Sequence, residues 1–150
     1  MNIRKLGKNE NLPFELLLLA DPSRDYILEY VENGVIFVAE IEQQIIGVYV
    51  LLPTSPEIIE LMNIAVREDY QGLGIGKQLV MDAVKVARKK GYTTLEVGTG
   101  NSSIGQLALY QKCGFRMIGV DTDFFVKHYP KAIFENGIQC VDMIRLARKL

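Results

Sequence analysis

A mixed, mostly antiparallel sheet of about six or seven strands with helices on both faces, an α/β fold, is what this sequence predicts. Three observations carry that prediction. Residues 35–66 hold three apolar runs separated by short polar turns, the pattern of successive antiparallel hairpins. Residues 76–90 carry an apolar stripe at helical spacing. A strand, a helix and a strand then follow, so the hairpins give way to a crossover that needs helices over the sheet.

Taken in order, Met1 to Leu6 alternates as a first strand, and Leu12 to Ala20 is apolar and helical. A second helix is expected from Asp21-Pro22, where Asp caps and Pro suits the first helical position. It buries Ile27, Tyr30 and Val31, and Gly34 stops it. Val35–Ile41 and Ile45–Leu52 pair across the polar turn Glu42-Gln43-Gln44. After a turn at Pro53–Pro56, Ile58 to Val66 is a long strand. In the helix Gly76–Lys90, Leu79, Val80, Ala83, Val84 and Ala87 share one stripe, while Lys77, Asp82, Lys85 and Arg88 lie off it. Arg88, Lys89 and Lys90 complement the dipole at its end, and Gly91 terminates it. Thr93–Val97 is the next strand. A helix opens at Ser102 or Ser103 and runs through Lys112 to Gly114. Phe115–Val120 is a strand, Asp121 to Gly137 a long irregular segment, and Ile138–Leu146 the closing strand.

The 150 residues, 49% hydrophobic and 23% charged, supply one ordinary core, so residues 1–150 read as one domain. A formal net charge of −1 gives no electrostatic footprint for nucleic acid or an anionic membrane. Cys113, Cys140 and the lone His128 lack metal-site spacing, so no metal is expected. Met1–Lys5 has no apolar signal core, and the longest apolar stretch, Leu16–Ala20, is too short to cross a bilayer. A soluble cytoplasmic protein is expected.

The chemistry concentrates in Gln71-Gly72-Leu73-Gly74-Ile75-Gly76-Lys77, between the strand ending at Val66 and the 76–90 helix. Glycines allow tight turns and close approach of backbone to a ligand. Free amides at the helix start and the helix dipole favour an anion there. A P-loop requires G-x-x-x-x-G-K-[ST]; Gln71 and Gln78 break it at the first glycine and at the magnesium ligand. The dinucleotide pattern G-x-G-x-x-G fails at Lys77 or at Leu79, depending on its start. The pattern Q/R-x-x-G-x-G/A is satisfied by Gln71, Gly74 and Gly76.

With that loop, the sequence resembles the GNAT superfamily of N-acetyltransferases. Asn63-Ile64-Ala65-Val66 is similar to the family's central strand, and Leu109-Tyr110-Gln111-Lys112-Cys113-Gly114-Phe115 to its second signature. The resemblance covers residues 58–120 best. It implies a splay between the fourth and fifth strands that admits acetyl-coenzyme A. It places the pantetheine on the main chain of Ile64, Ala65 and Val66, and the pyrophosphate on Gln71, Gly72, Leu73, Gly74, Ile75, Gly76 and Lys77. Lys77 is equally a solvated first-turn lysine. Tyr110 matches the position that protonates the leaving thiolate; its structural alternative is helix packing. Ser103 stands where the family often carries a coenzyme-contacting asparagine. It also reads as a helix N-cap, with Asn101 as a substitute contact.

Simple alternation along the long strand puts Glu60 on one face with Ile58, Met62 and Ile64. A carboxylate among apolar neighbours suits a general base, directly or through water, or else it is a solvated strand end. Glu96 on the neighbouring strand is a further candidate. Asn63, on the opposite face, either orients the acceptor or bridges backbone. The 121–137 segment is long and aromatic, as functional loops often are. Asp123, Phe124 and His128 there are the acceptor-binding candidates, and the plain reading is a lid packed on its own sheet. Cys113 is expected to be inert core. The reading that follows is acetyl transfer from acetyl-CoA to a primary amine of a small molecule or peptide, by direct attack in a ternary complex. The alternative is a non-catalytic acyl-CoA-binding module. Acceptor pockets are built from variable loops, so the motifs leave the acceptor open. A homodimer through the C-terminal strands is compatible with the sequence.

Overall fold

The computed structural model describes residues 1–150. The first half contains β1 (Asn2–Lys5), α1 (Phe14–Ala20), α2 (Arg24–Asn33), β2 (Val35–Ile41), β3 (Gln44–Pro53) and β4 (Ile58–Val66). A 3-10 turn at Glu68–Tyr70 leads into α3 (Ile75–Lys89), followed by β5 (Thr94–Gly100), α4 (Ile104–Lys112) and β6 (Arg116–Asp121). The chain ends with α5 (Phe124–His128), a hairpin of β7 (Ile133–Glu135) and β8 (Ile138–Cys140), and β9 (Met143–Lys149). Seven strands form one sheet in the order β1-β2-β3-β4-β5-β9-β6. Only β4 and β5 run parallel.

Alternation along the strands feeds two cores. Val48, Val50 and Ala65 face α1 and α2, packing on Leu16, Leu17, Ile27 and Tyr30. Tyr49, Leu51, Leu61 and Ile64 face the other way, onto Leu79, Val80, Ala83 and Tyr110 of α3 and α4. Tyr49 also donates a 2.6 Å hydrogen bond to Asp82 of α3. No helix is long and apolar enough to cross a membrane.

Local chemistry differs from expectation in four places. Ser23 caps α2, its Oγ accepting from the Tyr26 amide at 3.1 Å. Asp21 lies outside the helix and accepts from the Ser23 amide instead. Gly34 sits at φ −93°, open to any residue; it is glycine for space, because a Cβ there would lie 2.9 Å from the Tyr30 carbonyl. The 121–137 segment is not irregular: it holds α5 and the strand β7. The expected last strand is two elements, β8 paired with β7, and β9 inserted between β5 and β6. The break between them is held from afar, since Asn101 Oδ1 accepts from the amides of Val141 and Asp142.

The site is prepared by two irregularities of β4. Its parallel pairing with β5 runs from Ile58↔Thr94 to Leu61↔Val97 and then stops, which is the splay. Against β3 the register passes from Leu51↔Leu61 to Val50↔Asn63, leaving Met62 as an extra residue in a bulge. A bulge reverses the alternation beyond it. Glu60 therefore shares a face with Asn63, towards α1 and α2, while Leu61 and Ile64 share the other. The simple alternation that grouped Glu60 with Ile64 and set Asn63 opposite is thus corrected.

Candidate active site

The glycine loop follows from its backbone. Gly72 (φ 79°) and Gly74 (φ 82°, the N-cap of α3) occupy left-handed conformations that L-residues rarely adopt. Neither needs room, as a Cβ at either would meet nothing within 4 Å. Gly76 is different. It lies in the first turn of α3, and a Cβ would make only an ordinary 3.6 Å contact with Leu109. The fold does not require glycine there, and the missing side chain opens a groove of about 470 Å³ between Gln71, Ile75, Gly76, Ser103 and Leu109. Gly76→Val is expected to fold normally and to bind acetyl-CoA at least about 10-fold more weakly by calorimetry, because the β-branched side chain fills the groove.

One wall of this groove is the unpaired edge of β4. The Arg67 amide donates to the Ile46 carbonyl at 2.8 Å, which fixes the alternation of the strand. Ala65 and Asn63 therefore direct their main-chain groups to β3, and Ile64 and Val66 direct theirs into the splay. The Val66 carbonyl is occupied by Gln71 Nε2 at 2.8 Å, which ties the loop to the strand. The Ile64 amide and carbonyl and the Val66 amide remain for a ligand laid along the edge.

Past Ile64, Ser103, Gln106 and Glu135, which line both spaces, the groove enters a cavity of about 590 Å³. Tyr110 lines it. The residue is buried with its ring 5.8 Å from Phe115, and burial pushes its phenol above the ordinary value with no hydrogen bond to oppose the shift. Glu60 also lines the cavity, but its carboxylate is ion-paired and not isolated among apolar neighbours. Both of its oxygens accept from Arg145, at 3.1 and 3.0 Å, and Arg145 donates further to Glu96 at 3.2 Å. Burial works against the guanidinium, yet the hydrogen bonds and fields of Glu60 and then Glu96 hold it above its usual value. Phe124, Phe125 and Tyr129 form the far wall.

A sequence profile described as the acetyltransferase (GNAT) family matches residues 8–115. The chain belongs to the GNAT acetyltransferase family. The Bacillus subtilis (strain 168) protein named Uncharacterized N-acetyltransferase YvbK is 55% identical over 152 residues, covering 97% of each chain. A GNAT family acetyltransferase from Elizabethkingia anophelis, solved with acetyl-CoA bound, superposes with a TM-score of 0.98 at 47% identity, over 99% of this chain and 97% of that one. A Bacillus subtilis acetyltransferase solved in complex with CoA gives a TM-score of 0.93 at 53% identity, over 99% and 97%. The match reaches the N-terminal helices, beyond the 58–120 region where the motifs lie.

Within this GNAT fold the anticipated residues divide. Ile64, Ala65, Val66, Gln71, Gly72, Ile75, Gly76 and Ser103 line the groove. Leu73 is 66% exposed and does not line the groove, and Gly74 acts through its conformation. Lys77 borders a separate depression beside Cys113 and Arg148, on the far side of α3. Asn101 has both ends engaged, donating to the Gln139 carbonyl besides accepting the two amides at the β8–β9 break. Ser103 precedes α4 without a side-chain cap and donates to Glu135 at 2.8 Å. Of the acceptor candidates, Phe124 and Asn63 line the cavity; Asp123 and His128 do not. His128 is exposed and packs on Phe124 at 4.5 Å. Cys113 is buried, and burial raises its thiol, consistent with an inert role. Among the cavity residues that escaped the sequence reading are Arg145, Asp21 and Glu135. Each comes from a segment remote in sequence, and none belongs to a motif.

Proposed function

We propose that this protein is an acetyl-CoA-dependent N-acetyltransferase acting on an amine by direct attack. The observation that carries the reading is the open β4 edge. Where pairing ends at Leu61↔Val97, the anion cradle at Gly76 and the Tyr110 cavity join into one path. The cradle amides take the pyrophosphate, and the Ile64 and Val66 main chain takes the pantetheine as an added strand. That lays the thioester beside Ile64 at the mouth of the cavity.

The neutral amine attacks the thioester carbon, forming the C–N bond as the carbonyl becomes an oxyanion. An unpaired amide of the β4 edge stabilises that charge. The C–S bond then breaks, and Tyr110, which burial keeps protonated, gives its proton to the departing thiolate. The proton lost by the amine leaves through water towards Glu60, whose carboxylate Arg145 holds in place. No step requires a metal. The cavity lining carries Asp21, Glu60, Asp121 and Glu135 against the single cation Arg145, which favours an acceptor that arrives as an ammonium ion.

Thiol release from acetyl-CoA in the presence of small amines, polyamines, aminoglycosides and peptides is the test. Amine-dependent release is expected. Coenzyme binding without turnover of any amine would instead identify a non-catalytic acyl-CoA-binding module.

A further inference from the structure

Asn63 Oδ1 is the buried side-chain polar atom without a hydrogen-bond partner. Asn63 is 4% exposed and lines the acceptor cavity, next in sequence to the Ile64 main chain and on the same face as Glu60. An unpartnered buried acceptor is costly and rare, so its place in a cavity wall points to a missing donor.

The orientation of this amide is forced from behind. The Asp21 carboxylate accepts from the Ser23 amide at 3.0 Å, the Tyr129 hydroxyl at 2.8 Å and the Tyr30 hydroxyl at 3.2 Å. Tyr30 gives its one proton to Asp21, so its oxygen can only accept. Asn63 Nδ2 answers it with one proton at 2.9 Å and gives the other to the Leu17 carbonyl at 3.0 Å. Turning the amide over would set two oxygens face to face at Leu17. The oxygen is therefore the end left without a partner, on a residue that lines the cavity.

We infer that Asn63 Oδ1 is the acceptor-binding group of this site, taking one N–H of a primary amine, with Tyr30 and Asp21 as positioning residues behind it. The inference rests on the N-acetyltransferase reading and adds a substrate class to it. A neutral primary amine has one lone pair and two N–H groups. The lone pair faces the thioester carbon, one N–H meets Asn63 Oδ1, and the other meets the water that leads to Glu60 on the same face. An N-methyl amine or an alcohol has one such proton and cannot serve both partners.

The test is steady-state kinetics on a primary amine that turns over and on its N-methyl derivative. The native protein is expected to prefer the primary amine by at least about 10-fold in kcat/KM. Asn63→Ala should raise the KM for the primary amine about 10-fold, leave the KM for acetyl-CoA unchanged and bring the two amines near parity. Because Asn63→Ala also removes two hydrogen bonds to α1 and α2, Tyr30→Phe provides a second arm. It keeps the packed ring, removes the hydroxyl that orients the amide, and should narrow the same preference with a smaller rise in amine KM. An active enzyme whose primary-to-N-methyl ratio is unmoved by both substitutions overturns the inference and leaves the acetyltransferase reading intact. Absence of turnover with every amine overturns both.

Discussion

Tyr110→Phe is expected to lower kcat about 100-fold while the affinity for acetyl-CoA stays within about twofold. Tyr110 is buried against Phe115, and phenylalanine keeps that packing, so neither the fold nor the groove should change. What disappears is the phenol proton that reaches the cavity from α4. The thiolate must then leave without protonation or take its proton from water, and the loss corresponds to about 2.7 kcal/mol of barrier. Pre-steady-state thiol release checks this. If kcat falls and coenzyme affinity falls with it, Tyr110 is a coenzyme contact; if neither moves, it is a packing residue and the leaving group has another acid.

Arg145→Ala is expected to destabilise the protein by about 2 kcal/mol, a loss of about 6 °C in Tm. The parallel register sets Glu60 and Glu96 directly side by side on β4 and β5. Arg145 on β9, opposite Gly98 of β5, reaches back across β5 to neutralise both. Gly98 makes room for it, since a Cβ there would lie 2.7 Å from the guanidinium. Alanine leaves two adjacent carboxylates without a counter-charge. Their 15% and 22% exposure lets water offset part of the penalty, hence a value below that of a fully buried pair. The double variant Arg145→Ala/Glu96→Gln should recover about half of the lost stability, because one of the two charges is removed. If calorimetry shows no such recovery, the effect of Arg145 is packing and not charge. Activity should also fall in the single variant, because Glu60 loses the partner that orients it.

The sequence was most legible where a residue's role is local. Gly72 and Gly74 are needed by their own φ angles, and Gly91 and Gly114 end helices at positive φ in the same way. The stripe of α3 and the span of β4 from Ile58 to Val66 are set by side-chain periodicity alone. The motif spacing led to the right family for the same reason, because the cradle is one continuous piece of chain. Legibility failed where partners lie far apart in sequence. Alternation could not register the Met62 bulge, which exists only against β3, and so it misassigned the faces of Glu60 and Asn63. Nor could composition reveal that Glu60 faces a guanidinium contributed 85 residues later, or that Asn101 is tied to a break 40 residues away. The 121–137 segment looked irregular because its strand finds its mate only through the hairpin with β8.

The sequence by itself thus determined the fold class, the glycine cradle and the family, since helix caps, φ preferences and motif spacing are properties of contiguous residues. Only the tertiary structure decided what lines the groove and the cavity. The splay, the bulge, the Arg145 bridge and the orphaned Asn63 oxygen arise from register between strands and from hydrogen bonds across 33 to 108 residues. Such contacts are selected by packing the whole sheet at once, and no local pattern encodes them.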